Sequence, residues 1–316
     1  MFWTSWFLAV LAIVLAWPVP LLLSRAHWPA RSPFTAMVLW QAIALAGGLS
    51  MIGAMLVFGL VPLGQNLISG LGTLARIMLG NRASAALDFW NAFALSAAGL
   101  LLAHLLFTLL LTYIRIQQQR RRHRELLDLL SSPDAERPGT VVINHDVPVA
   151  YCLPGGARSV TVLSDGLMNL LEPDELRAVL IHENTHLAQH HHMLLWAFAA
   201  WRSALPWLPT SRLAQRAVNS LIEMLADDEA LKTVDRATLV KAIALVASGS
   251  AELPASELVD AGAARIDTPE TTSARLGRLI TPVPPLVPAV RNTVLASSVL
   301  LLAVPTALLV VPGLLG

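Results

Sequence analysis

His182-Glu183-Asn184-Thr185-His186 places two imidazoles four residues apart. On a helix that spacing puts both on one face, where they can grip a single metal ion. Glu183, one residue along, is offset around the helix, so its carboxylate reaches an attacking water instead of the metal. A second pair follows in Glu223-Met224-Leu225-Ala226-Asp227, with its two acids again four apart on one helical face. Glu223 then serves as third ligand, and Asp227 orients a metal-bound imidazole from behind. Acids set among Leu221, Ile222, Met224, Leu225 and Ala226 are otherwise expensive to bury. Two neutral imidazoles and one carboxylate leave Zn2+ a net positive charge and an open fourth position, the mark of a catalytic site. The chemistry expected is peptide hydrolysis, with Glu183 taking the proton of the water and returning it to the leaving amine. HExxH alone also fits a solvated helix; the ExxxD companion separates the two readings.

Other residues carry weaker signals. A second oxyanion donor is expected, and Arg202, Arg212 and Arg216 are the candidates. His190, His191 and His192 are either extra ligands or, as is commoner past the end of a metal helix, exposed. Asp228 and Glu229 read as surface charges, and Cys152, the single cysteine, as a small buried hydrophobe.

The elements that must position these residues are legible from period and punctuation. Glu172-Pro173-Asp174-Glu175 opens a helix, with proline near the first position and acids in the first turn. Leu176, Val179, Leu180 and Leu187 keep helical spacing through the histidines. Three β-branched runs precede it, at 140–144, 149–153 and 159–163, and Pro154-Gly155-Gly156 predicts that the second and third form a hairpin. The 159–163 strand, just before the helix, either pairs with an extended substrate or is ordinary sheet. Further helices are predicted at 213–232 and 236–247. The stretch 250–289, rich in proline, reads as an irregular return.

Around this lies unusually apolar sequence: 316 residues are 55% hydrophobic and only 14% charged, a balance that calls for lipid. Residues 1–24, 32–75, 89–114 and 292–316 contain no Asp, Glu, Lys or Arg. About 20 such residues span a bilayer, so four transmembrane helices are predicted at 2–23, 36–60, 89–113 and 293–312. The first lacks the basic start and cleavage site of a signal peptide. His104, inside the third, is either a proton relay or a packing residue. The fold expected is a mainly α membrane protein with an inserted α+β zincin-like domain. Its divisions are a membrane region 1–124, a peptidase domain 125–289 and a last span 290–316. Arg115, Arg120, Arg121, Arg122 and Arg124 follow the third span and place the peptidase domain in the cytoplasm by the positive-inside rule. Arg76 and Arg82, in the opposite loop, oppose that orientation. The basic run itself is a topological anchor or a contact for anionic lipid or an acidic partner. A net charge of +1 argues against direct nucleic-acid binding.

The HExxH and ExxxD pair resembles the zincin pattern of integral-membrane metallopeptidases. Ala150-Tyr151-Cys152-Leu153-Pro154-Gly155 and Leu176-Arg177-Ala178-Val179-Leu180 are similar to segments of the HtpX-type quality-control and prenyl-protein proteases. The HtpX type, however, inserts membrane helices between its two motifs. Three spans, a zinc domain holding both motifs and a fourth span instead resemble the BlaR/MecR antirepressor peptidases. That resemblance implies regulated proteolysis in a bacterial plasma membrane, relieving a winged-helix repressor of the BlaI/MecI type. The sequence shows no penicillin-binding sensor domain after the fourth span, so β-lactam acylation is not the expected stimulus.

Overall fold

The charge-free stretches fold as helices in a computed structural model that describes residues 1–80, 87–134, 136–155, 159–250 and 268–314. Arg82, Gly156 and part of the expected irregular return lie outside the described residues. The first apolar stretch is α1 (Phe2–Ala16) and α2 (Pro18–Ser24), broken at Trp17, because Pro18 cannot donate to the preceding turn and opens a new one. With α3 (Pro33–Leu60), α5 (Phe89–Leu130) and α12 (Pro288–Leu314) they give four candidate membrane spans among the described residues, by length and composition. Trp3, Leu100, Phe107 and Val299 stand exposed on them.

Two elements differ from the sequence reading. The 61–88 loop contains a helix, α4 (Leu67–Leu79), started by Asn66, whose side chain accepts from the Ser69 amide at 2.8 Å. The third apolar stretch does not stop near Tyr113. It continues as one 42-residue helix through the basic run. At 1.5 Å per residue α5 is roughly 63 Å long, about twice the hydrocarbon thickness.

The chain divides into two units. The first joins Met1–Leu111, Phe198–Val218 and Leu286–Gly316. Its centre is α3, whose Ala42, Ala46, Gly48, Gly53 and Ala54 let neighbouring helices approach closely. Gly53 faces Leu8 of α1 and Leu309 of α12, and these leucines with Ala54 and Val57 make a buried cluster. Two buried hydroxyls find backbone acceptors on neighbouring helices: Ser5 Oγ donates to the Ala54 carbonyl at 2.9 Å, and Thr210 donates to the Leu15 carbonyl at 2.9 Å. His104 lies 3.0 Å by its Nε2 from the Ala204 carbonyl, at a helix end that lacks an intrahelical donor.

The second unit joins Thr112–Ala197 and Asn219–Pro285. Its sheet has strands β1 (Ser131–Pro133), β2 (Thr140–Ile143), β3 (Ala150–Leu153) and β4 (Val160–Ser164), in the order β1-β2-β4-β3. β3 and β4 are antiparallel, as the hairpin signal predicts, and β2 lies parallel to β4. β4 is therefore an interior strand with both edges occupied, so of the two readings of 159–163 it is ordinary sheet and not a substrate-pairing edge. The edge strand on that side is β3. Ser164, fully buried at the end of β4, accepts from the amides of Val149 and Leu167 and donates to the Val147 carbonyl, fixing the short helix α6 (Asp165–Leu170). α7 (Pro173–Ala188) follows, capped by Glu172 and Glu175. Then come α8 (His191–Ala204), α9 (Pro209–Ala230) and α10 (Arg236–Ser250).

The return segment is not wholly irregular. α11 (Pro269–Ile280) begins where Thr268 accepts from the Thr271 amide and Pro269 takes the first turn, so one of the prolines counted as a breaker is a helix start. Leu279 of α11 packs with Ala178 of α7, Ala230 of α9, and Leu239 and Ile243 of α10.

Gly166 tests this arrangement, because a Cβ there would lie 1.9 Å from the Asp146 carbonyl oxygen. Gly166→Ala is expected to destabilise the chain by about 1–3 kcal/mol. Gly277→Ala, on α11 with open space around it, should be neutral or stabilising by up to about 1 kcal/mol. Denaturant unfolding of the purified variants checks both.

Candidate metal centre

His182 and His186 lie one turn apart on α7, and Glu223 comes to them from α9. All three are buried, with one ligand atom from each lying within 4.8 Å of the others. Nε2 of His182 is 3.1 Å from Glu223 Oε2 and 3.2 Å from Nε2 of His186, which in turn is 3.6 Å from Glu223 Oε1. Ligands about 2.0–2.1 Å from a tetrahedral ion stand roughly 3.4 Å from each other. The triangle therefore has the dimensions of one face of such a site, and its donors, two imidazole nitrogens and a carboxylate, suit a borderline divalent cation. Glu183 is half-buried on the same helix.

Each imidazole is oriented by a different partner. Behind His182, Asp227 Oδ1 stands 3.0 Å from Nδ1, close enough for an ion pair though not aligned as a hydrogen bond. Asp227 is fully buried and is held by Arg275, which donates to its two oxygens from Nε at 2.9 Å and from a terminal nitrogen at 2.8 Å. Another nitrogen of Arg275 lies 3.4 Å from Glu223 Oε2. Arg275 is itself buried, on α11, and sequence reasoning missed it. The signal available was Thr268-Pro269-Glu270 as a helix start, together with the cation that two buried acids demand.

Behind His186 lies His191. Its Nε2 is 3.0 Å from Gln189 Oε1, an acceptor, so that nitrogen carries the hydrogen. Nδ1 of a neutral His191 is then an acceptor, and His186 Nδ1, 2.9 Å away, is the donor. Nε2 of His186 is left with a free lone pair pointing at His182 and Glu223, the tautomer a metal ligand needs. The expectation that 190–192 are exposed therefore fails for His191, which is 1% exposed. His190 adopts φ 53°, a left-handed turn between α7 and α8 that carries the chain round so that His191 turns inward.

The electrostatics follow. Burial raises the pKa of both Glu223 and Asp227, but the imidazoles of His182 and His186 beside Glu223, and His182 with the Arg275 guanidinium beside Asp227, outweigh it and hold both below the usual carboxylate range. Burial and Arg275 work against a proton on His182, yet Asp227 and Glu223 outweigh them and raise its pKa to about 9. Asp228 is not the free surface charge expected: it is partly buried, which raises its pKa, and Arg278 of α11 pairs with it at 2.7 Å. Arg202, Arg212 and Arg216 are all exposed and belong to the first unit. Cys152, half-buried on β3, has its sulfur 4.0 Å from Asn184 of the HExxH segment.

Residues 116–258 match the model of Peptidase family M48, a family that includes the BlaR/MecR and HtpX types. A metallopeptidase is what that match and the His-His-Glu cluster support. No curated protein and no solved structure matches.

Two substitutions separate the backing groups. Arg275→Met leaves Asp227 buried without its guanidinium partner, and is expected to destabilise the chain by about 3–5 kcal/mol in denaturant unfolding. His191→Asn disturbs only the orientation of His186, and is expected to weaken metal binding about 10–100-fold in a chelator competition titration.

Proposed function

We propose that the chain is a membrane-embedded zinc metalloendopeptidase that acts in signal transduction by regulated proteolysis. Its substrate in this reading is a winged-helix repressor of the BlaI/MecI type, met on the cytoplasmic side of a bacterial plasma membrane. The observation that carries the peptidase reading is the buried triangle of His182, His186 and Glu223, with Asp227 and His191 fixing the two imidazoles. Zinc on this set would supply Lewis acidity, polarising the scissile carbonyl and lowering the pKa of the attacking water. Glu183 accepts the proton from that water and delivers it to the leaving amine. Asp227 and Arg275 keep His182 in place throughout, and burial excludes competing solvent.

Span order favours the antirepressor type over the quality-control type. Among the described residues no helix long and apolar enough to cross a membrane lies between His186 and Glu223. The one helix lying wholly in that interval, α8, has 14 residues. A substrate strand would be presented beside β3, the edge strand of the sheet, in this reading.

The test compares newly formed protein N-termini in cells carrying the native chain with those carrying Glu183→Ala, with and without envelope stress. A cut in one DNA-binding repressor, absent or reduced at least about 10²-fold in the mutant, is the expected outcome. Many cuts across membrane proteins would move the reading to quality control. No difference under any stress would overturn the protease reading.

A further inference from the structure

A cavity of about 630 Å³ opens in the second unit; none of the three ligands lines it, and its lining is basic. Arg120, Arg121 and Arg124 of α5 contribute to it, with His190 and His192 from the α7–α8 junction and Gln117 between them. None of the residues lining it is acidic. Arg121 pairs with Glu125 at 3.0 Å, but both side chains are largely exposed and such a pair holds little. Arg124 donates from one terminal nitrogen to the Pro154 carbonyl, while its Nε is buried without a hydrogen-bond partner. A buried guanidinium N–H of this kind is costly to leave unmet, and it calls for an acceptor. His190 enters the lining in its left-handed conformation, which few residues other than glycine adopt without cost.

The place of these arginines on α5 names the anion. The charge-free stretch ends at Ile114, so Arg120 follows six residues later, 114 to 120, or about 9 Å along the helix. The polar layer of a bilayer occupies roughly 5–8 Å on each side of its hydrocarbon core. A planar guanidinium fork suits phosphate oxygens, and clustered arginines just past a span bind anionic headgroups. We propose that this cavity is a binding site for the phosphate of an anionic phospholipid headgroup, such as phosphatidylglycerol. The inference rests on the membrane reading above, and makes the basic run a built site in addition to a topological anchor.

The test uses the full chain in detergent, with short-chain phosphatidylglycerol and phosphatidylcholine as probes and retained lipid counted by native mass spectrometry. Wild type is expected to retain phosphatidylglycerol over phosphatidylcholine. Arg120→Gln with Arg121→Gln, and separately His190→Gly, should each weaken that retention at least about tenfold with melting temperature preserved. Arg115→Gln with Arg122→Gln removes the same charge from the same helix outside the cavity, and should weaken it less than twofold. Equal loss in both double variants would mean a diffuse basic belt and overturn the site. Displacement of the lipid by an equal concentration of inorganic phosphate would assign the cavity to free phosphate and overturn the lipid. The membrane reading is checked apart, by alkaline carbonate extraction: release of the chain would sink that reading while leaving the headgroup titration to stand or fall alone.

Discussion

Two carboxylates buried on one helix face, Glu223 and Asp227, set the terms for the second unit. Neither can be ionised away from water without a cation, and the chain supplies one from far along its length. Arg275 meets both acids, and α11 exists where it does because Leu279 seats it on α7, α9 and α10. The same packing holds Ala178, one turn before His182. Local order at the centre therefore depends on an apolar seat and a buried ion pair acting together. Removing one acid would leave the arginine uncompensated, and removing the arginine would leave an acid, which makes the group cooperative.

The first unit answers a different constraint. Backbone carbonyls freed at helix ends and kinks, where they are buried, need donors from elsewhere in the protein. Thr210 and His104 meet this need at Leu15 and Ala204, while Ser5 adds a bond to the Ala54 carbonyl within α3. His104 is thus engaged in closing a helix end, which accounts for an imidazole inside an apolar stretch without a relay. Phe198–Val218 belongs with these helices although its sequence lies between the two metal motifs. Ala204, Leu205 and Leu208 there form a buried cluster with Met51, Leu101 and Leu105 packed against it.

What was legible in the sequence is what helical and strand periods encode. His182, His186, Glu223 and Asp227 were readable because i, i+4 spacing on two helices leaves little freedom once both helices form. The β3–β4 hairpin was readable from its proline and glycine turn. Arg275 was not, since its contact with Asp227 spans 48 residues and depends on a helix hidden behind a proline count. Nor was the interior place of β4, because β2 joins it in parallel through a connection that no local signal marks. His191 escaped because its direction is decided by one backbone angle at His190, and a run of three histidines says nothing about which of them turns inward.

The two backing groups differ in kind, and the difference shapes the site. His182 is backed by a carboxylate, which makes its imidazole more basic and a stronger donor. His186 is backed by a neutral imidazole, itself backed by an amide, which fixes orientation with little added charge. With Arg275 counted against Glu223 and Asp227, the protein's own ionised groups leave a single negative charge beside the two imidazoles. A divalent ion brings that to a single positive charge. A second carboxylate behind His186 would have cancelled it and weakened the pull on a substrate carbonyl. The neutral relay from Gln189 through His191 therefore orients His186 without adding negative charge beside the candidate metal centre.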